Sequence, residues 1–278
     1  MFQNRQLLIA TKHNKERVIA PLLEEALGVT CVVNDQFDTD TLGTFTGEVE
    51  RILDPLATAR EKCLRALQHS NCQLAVASEG SFGPHPLYYF VPADEELLLF
   101  MDTLHNIEIV VREISTETNF SSSNVHTAVA LLAFAKQAGF PSHALILRNP
   151  DNEPAVIHKG IQDEARLLHL FATLHAQFNT VVVQTDMRAM YNPTRMEVIK
   201  RAAQKLLQKI NSLCPQCQMP GFGKTDATTG LVCSLCGSPT NSVRSYIYVC
   251  AHCAFTKEEL YPHGKEKEDP GYCNVCNP

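Results

Sequence analysis

QLLIATKHNKERVIAPLLEEALGVTCVV, residues 6–33, decides the fold. QLLIA is a short apolar strand. KERVIAPLLEEAL has the apolar spacing of an amphipathic helix and stops at Gly28, a residue suited to a left-handed helix end. VTCVV is a second strand. A strand, a helix and a strand in that order form the unit from which α/β sheets are built.

The pattern continues outward. DPLATAREKCLRALQ reads as a helix with proline in its first turn. QLAVA (73–77) reads as a strand, and ELLLFMDTLHNIEIVVREI as two strands joined at His105-Asn106. SSNVHTAVALLAFAKQAG reads as a helix capped by serine or asparagine and closed by Gly139. HALILR and PAVIHKG are strands, QDEARLLHLFATLHAQ is a helix, and TVVVQ (180–184) is the last strand of the series. NPTRMEVIKRAAQKLLQKI is a long helix leading out of it. The expected class is α/β, a mixed, partly parallel sheet with flanking helices. The expected domains are a body over residues 1–211 and a small module over 212–278.

The module is marked by cysteine. Of eleven cysteines, Cys31, Cys63 and Cys72 are scattered and are expected to pack as small hydrophobes. The other eight form CxxC pairs: Cys214/Cys217, Cys233/Cys236, Cys250/Cys253 and Cys273/Cys276. Two residues between cysteines let both sulfurs of a tight knuckle face one ion, and two knuckles complete a tetrahedral site. The gaps between the first two pairs and between the last two, 15 and 19 residues, fit a zinc pattern. Two structural zinc ions are therefore expected in a zinc-ribbon-type module. Sequential pairing, first knuckle with second and third with fourth, is preferred over an interleaved cross-brace. His252 and His263 are not needed as ligands. So short a segment has few large apolar residues, so metal binding must supply much of its folding energy.

Charge and hydropathy restrict the function. The net charge of −6 argues against a protein that coats nucleic acid by bulk electrostatics. The module, with five Lys/Arg against six Asp/Glu from Ser212 onward, is suited to self-association or protein contact instead. No stretch is long and apolar enough to span a bilayer, and the start, MFQNRQLLIATKHNK, has too short an apolar run for a signal core. A cytoplasmic setting is expected, with no membrane partner.

In open α/β sheets ligands lie beyond the carboxyl ends of strands. Thr11, Lys12, Asn14 and Lys15 follow the first strand, Glu79 follows QLAVA, Arg148 follows HALIL, and Asp186 and Arg188 follow TVVVQ. Asn192 and Arg195 sit at the start of the long helix. On a parallel arrangement, Lys15, Glu79, Arg188 and Arg195 should share one edge. Cations beside carboxylates suit a phosphate-bearing small molecule with Mg or Mn. Lys15 and Glu79 are the candidate catalytic groups. The loop STETNFSS, read as entering a helix N-terminus, would favour anions too.

ATKHNK, FDTDTLGTFTGEVER, ASEGSFGPHP, STETNFS, TDMRAMYNPTRM and GFG…CSLCGSPT…YCNVCNP together resemble one uncharacterised bacterial domain-of-unknown-function family. The body is also similar, more faintly, to the inosine triphosphate pyrophosphatase superfamily. That resemblance rests on Thr11 and Lys15, on TAREKCLRA, on ASEG and on Arg195. It implies a nucleotide pyrophosphohydrolase in which Lys15 binds phosphate and Glu79 supplies a metal ligand or base. The acid expected before the middle helix has three candidates, Glu48, Glu50 and Asp54, and the zinc tail is foreign to that superfamily. The competing class is a noncatalytic binding or assembly protein that uses its zinc module for contacts.

A chain cut after Asn211 should keep a cooperative thermal melt, because the tail has a metal-based core of its own. Precipitation of the truncated body, or a broad non-cooperative melt, would show that the division is wrong.

Overall fold

A computed structural model describes residues 1–33, 53–150 and 156–278. The whole FDTDTLGTFTGEVER segment, with Glu48 and Glu50, lies outside the described residues. The chain divides into two compact units. One is Met1–Asn106 with Val110–Leu206, and the other is Ile107–Ile109 with Leu207–Pro278. Among the described residues no helix is long and apolar enough to cross a membrane.

The first unit opens with β1 (Gln6–Ala10), α1 (Glu16–Leu27) and β2 (Thr30–Val33). Gly28 ends α1 at φ 65, donating its N–H to the Glu24 carbonyl. Then come α2 (Pro55–Gln68), β3 (Leu74–Pro84), β4 (Pro92–Asp102) and β5 (Ile107–Ser115). Asp54 caps α2, accepting from the N–H groups of Leu56 and Ala57 at 2.9 and 3.0 Å, so its carboxylate is committed to the helix start. The five strands form one mixed sheet in the order β2-β1-β3-β4-β5. β1 is parallel to both β2 and β3, whereas β3 and β4 are antiparallel. This is the expected mixed, partly parallel sheet with flanking helices. One face packs on α2 through Ala59, Cys63 and Ala66 against Ala75, Leu97 and Leu99. Cys63 is buried there as expected, but Cys31 and Cys72 are only partly covered.

A second sheet, which the sequence did not announce, follows. Its strands are β6 (Ser122–Val125), β7 (Leu145–Arg148), β8 (Ile157–Ile161) and β9 (Val181–Thr185), in the order β6-β9-β7-β8. Every pairing in it is antiparallel. α3 (Ala128–Ala138) and α4 (Glu164–Phe178) cover it, with Leu131, Phe134, Leu167 and Phe171 packed on Leu145, Leu147, Val181 and Val183. The segment SSNV, expected to begin the helix, is instead the edge strand β6, and Thr127 caps α3. The loop STETNFSS therefore leads into a strand rather than a helix N-terminus. α5 (Pro193–Asn211) follows β9.

The second unit carries a three-stranded antiparallel sheet, β10 (Gly223–Thr229), β11 (Val243–Val249) and β12 (Thr256–Leu260), in that order.

Leu99 is fully buried in the core between α2 and the first sheet. Leu99→Ala should therefore lower unfolding free energy by about 2–5 kcal/mol, measured by denaturant titration. A loss below about 1 kcal/mol would place that core elsewhere.

Candidate functional site

Strand pairing builds the body's charged cluster. β3 and β4 are in register with Ser78 opposite Leu98, Gly80 opposite Glu96 and Phe82 opposite Asp94. Directly opposed residues share a face and successive residues alternate. Ser78, Gly80, Asp94 and Glu96 thus stand on one face, and Glu79, opposite Leu97, on the other.

Two cations reach the first face. Lys15 lies where β1 turns into α1, after His13 and Asn14 in left-handed conformations at φ 70 and 61. β1 and β3 are parallel neighbours, with Ala10 beside Ala77, so the residues after them come together. The Lys15 Nζ donates to Ser78 Oγ at 2.9 Å. Arg195 is the third residue of α5, whose start is fixed by Asn192: its Oδ1 accepts the Arg195 backbone N–H at 3.0 Å. Arg195 Nε donates to Glu96 Oε1 at 2.6 Å, its Nη1 donates to the Met187 carbonyl, and its guanidinium lies 4.9 Å from the Phe82 ring centre. Gly80 makes room: a Cβ there would fall 2.2 Å from Arg195 Nη2 and 2.7 Å from Glu96 Oε1. On the opposite face Lys62 of α2 places its Nζ 2.5 Å from Glu79 Oε1.

All six ionisable groups are buried. Burial lowers the Lys15 ammonium to about 8, assisted by the field of Arg195 and opposed by those of Glu96 and Glu79. Burial, then the neighbouring Glu96 charge, pushes the Asp94 carboxyl up to about 8. Asp94 is fully buried, and among the described residues its oxygens meet no donor except through a proton shared with the Glu96 carboxyl. Such a group is costly unless it acquires a proton or a cation.

The other predicted residues are placed as follows. Thr11 Oγ1 donates within its own loop to the Lys12 carbonyl at 3.1 Å, and Lys12 is half-buried beside it. Asp186 is fully buried and accepts from the Arg188 guanidinium at 3.0 and 2.6 Å and from the Arg188 backbone N–H at 3.1 Å, while accepting the Gly160 N–H at 3.0 Å. Arg188 also stacks on Tyr191 at 4.6 Å. The single shared edge expected for the strand ends does not survive. β9 lies in the second sheet and runs antiparallel to β7, with Leu145 beside Thr185 and Arg148 beside Val182. Arg148 and Asp186 are therefore at opposite ends of that sheet. The structure brings Lys15 and Arg195 together on one face of β3, with Glu79 on the strand between them and Lys62. Arg188 is instead held at the end of β9.

Sequence reasoning missed Lys62, Asp94 and Glu96. Asp94 and Glu96 are spaced by two in PADEELLLF, a period that puts both on one face of a strand and is the signal that could have found them.

The module's cysteines form two groups that could each hold a metal ion: Cys214, Cys217, Cys250 and Cys253, and Cys233, Cys236, Cys273 and Cys276. Within each group the sulfurs lie within 4.8 Å of one another. The pairing is interleaved, first knuckle with third and second with fourth, which corrects the preferred sequential order. Strand length gives the reason. β10, seven residues long, separates the first knuckle from the second by about 20 Å, and its antiparallel partner β11 returns to the start, setting Val249 opposite Gly223. Cys250 thereby arrives beside Cys217, 3.6 Å apart, and a parallel bridge between Cys233 and Glu268 aligns the other group. Phe222, Tyr248 and Phe255 pack around the first group.

The chain is thus a mixed α/β protein with an interleaved eight-cysteine module. It belongs to the family described as Domain of unknown function (DUF6671), whose model matches residues 62–278. No curated protein matches it. A solved structure described as protein VC0702 from Vibrio cholerae is similar at 8% identity with a TM-score of 0.32, over 74% of this chain and 94% of that one. A likeness this faint carries no argument. The resemblance to the inosine triphosphate pyrophosphatase superfamily gains no confirmation from these comparisons.

The pairing makes a distinct prediction for metal content, expected by elemental analysis to be about two ions per chain. The double variant Cys217→Ser/Cys250→Ser should lose one ion and keep the other, because both residues serve one site. Loss of both ions would restore sequential pairing.

Proposed function

We propose that the body is a metal-dependent hydrolase of nucleoside triphosphates or a related phosphorylated compound, and that the cysteine module holds two structural zinc ions. One observation carries the first part: Lys15 and Arg195 converge with Asp94 and Glu96 on one face of β3 and β4, where β1 ends beside β3, with the Lys62–Glu79 pair on the face behind. Buried cations of this kind can serve a phosphate site, Lys15 by gripping phosphate oxygens as a point charge and Arg195 by holding the Glu96 carboxylate in place. Carboxylates alongside can seat Mg or Mn, which neutralises the phosphates and activates water. The perturbed Lys15 and Asp94 side chains fit a site whose electrostatics serve chemistry.

Zinc is favoured by the donor set. Four thiolates around one point select a soft or borderline tetrahedral ion and leave no open position for catalysis. Eight such thiols stay reduced most readily in the cytoplasm, where we place the protein.

A second reading is a noncatalytic binding or assembly protein. It is favoured by Leu235, Tyr272 and Val275, which stand 74%, 70% and 66% exposed beside the second cysteine group and would suit a protein partner or self-association.

Release of phosphate or pyrophosphate from a panel of nucleoside triphosphates, with Mg or Mn present, separates the two. The hydrolase reading expects turnover, reduced about 100-fold in kcat/KM by Lys15→Met with the melt retained. A wild-type protein inert toward the whole panel sinks it.

A further inference from the structure

We propose that Asp94 and Glu96 are the seat of a divalent cation in the body, and that Glu79 is not its ligand. The proposal rests on the hydrolase reading only for the ion's use, not for its place.

Strand parity carries the argument first. Asp94 and Glu96 project from β4 on the face that also carries Ser78 and Gly80, where Lys15 and Arg195 arrive. Glu79 projects from the other face, toward α2, where Lys62 neutralises it at 2.5 Å. A cation placed among Lys15, Arg195 and the β4 carboxylates therefore meets Asp94 and Glu96.

Unused acceptors carry it second. Both oxygens of Asp94, and Oε2 of Glu96, are buried and meet no donor among the described residues beyond a proton the two carboxyls can share, whereas Glu79 Oε1, equally buried, has the Lys62 ammonium beside it. Arg195 engages only Oε1 of Glu96. It thus fixes the carboxylate's orientation and leaves the other oxygen turned to its neighbour, as an outer-shell partner does for a metal ligand. Two carboxyl groups buried side by side cannot both be charged without a compensating positive centre, and a divalent cation would take the place of the proton that Asp94 otherwise holds.

The donor number identifies the kind of ion. Mg and Mn are hard, favour oxygen, and are commonly held by one or two carboxylates plus phosphate oxygens rather than by an all-protein cage. This face provides two carboxylates, with Lys15 and Arg195 beside them to receive the phosphates. The ligand class is therefore a divalent cation that a polyphosphate completes.

The test uses the full chain with its cysteine sites loaded with zinc, and Mn as the probe, read by electron paramagnetic resonance without any nucleotide. Wild type should bind one Mn. Asp94→Asn, which keeps the side chain's size, should weaken binding by more than the about 10–100-fold that follows loss of an outer-shell partner. Glu79→Gln should leave it unchanged. Oxidative cleavage of the wild-type backbone by Fe(II) bound in place of Mn needs no variant, and should cut within β4 around Asp94 and Glu96. Absence of Mn binding would mean that the two carboxylates share a proton instead, and the proposal fails. It fails equally if Glu79→Gln abolishes binding while Asp94→Asn does not, or if the cuts map elsewhere. Mn binding at Asp94 without nucleotide turnover would defeat the hydrolase reading and leave this site standing.

Discussion

Arg195 reaches Glu96 at 2.6 Å in a place where neither side chain meets much water, and the centre of the body is arranged around that pair. An ion pair in a dry interior gains strength from the low dielectric, but only if its remaining donors and acceptors are served. The Met187 carbonyl serves one guanidinium nitrogen, and Phe82 covers its plane. Asn192 anchors the first turn of α5, so that Arg195 points at β4 rather than into solvent, and Asn119 holds the Asn192 side chain at 2.8 Å. Removing one partner of such a pair leaves the other charge stranded, at a cost of about 3–5 kcal/mol. The pair also joins the two sheets: Glu96 belongs to β4 of the mixed sheet, and Arg195 to the helix that follows β9 of the antiparallel one.

A different constraint governs the module. Its knuckles sit at the ends of strands, and the strands are too long for successive knuckles to meet. Antiparallel pairing of β10 with β11 returns the chain to its starting end, which brings the first and third knuckles together. Hydrogen-bonded sheet and the gathering of four thiols then require the same topology, so each reinforces the other. Local spacing between cysteines carries no information on that point. The two gaps satisfy a sequential site as readily as they satisfy the spans of an interleaved one.

How much was legible in the sequence follows the range of the interactions. Gly28 stops α1, and proline with Asp54 starts α2, because caps act within a few residues. β3 was read as QLAVA but continues through EGSFGP, since its later residues owe their strand form to β4. SSNV looked like a helix start because serine and asparagine are good caps. Pairing with β9 made it an edge strand and passed the cap to Thr127. The second sheet was invisible as a separate object, because strand order and direction are set by tertiary pairing rather than by the strands' own composition. At the site, Lys15, Glu79 and Arg195 were visible as polar residues at element ends. Lys62 lies inside a helix pattern and Asp94 before an apolar strand, so each looked like ordinary surface until packing enclosed it.

One alternation on β3 finally explains why Glu79 and Asp94 lie in different surroundings. Ser78, Glu79 and Gly80 are consecutive, so the strand must divide them between two faces. Ser78 gives Lys15 an acceptor, and Gly80 gives Arg195 and Glu96 the space that any side chain would take from them. Glu79 is turned toward α2, where Lys62 would otherwise be an uncompensated buried cation. A helix packed on a sheet through alanines and a cysteine comes close enough to bury such a lysine, and the carboxylate opposite makes that close packing tolerable. Glu79 and Lys62 therefore secure α2 to the sheet from one side. The other side is left to Asp94, whose carboxyl is set beside that of Glu96 and meets no cationic donor among the described residues. The division follows from the two-residue period of the strand, and it sets the Glu79–Lys62 pair on one face and the Asp94–Glu96 pair on the other.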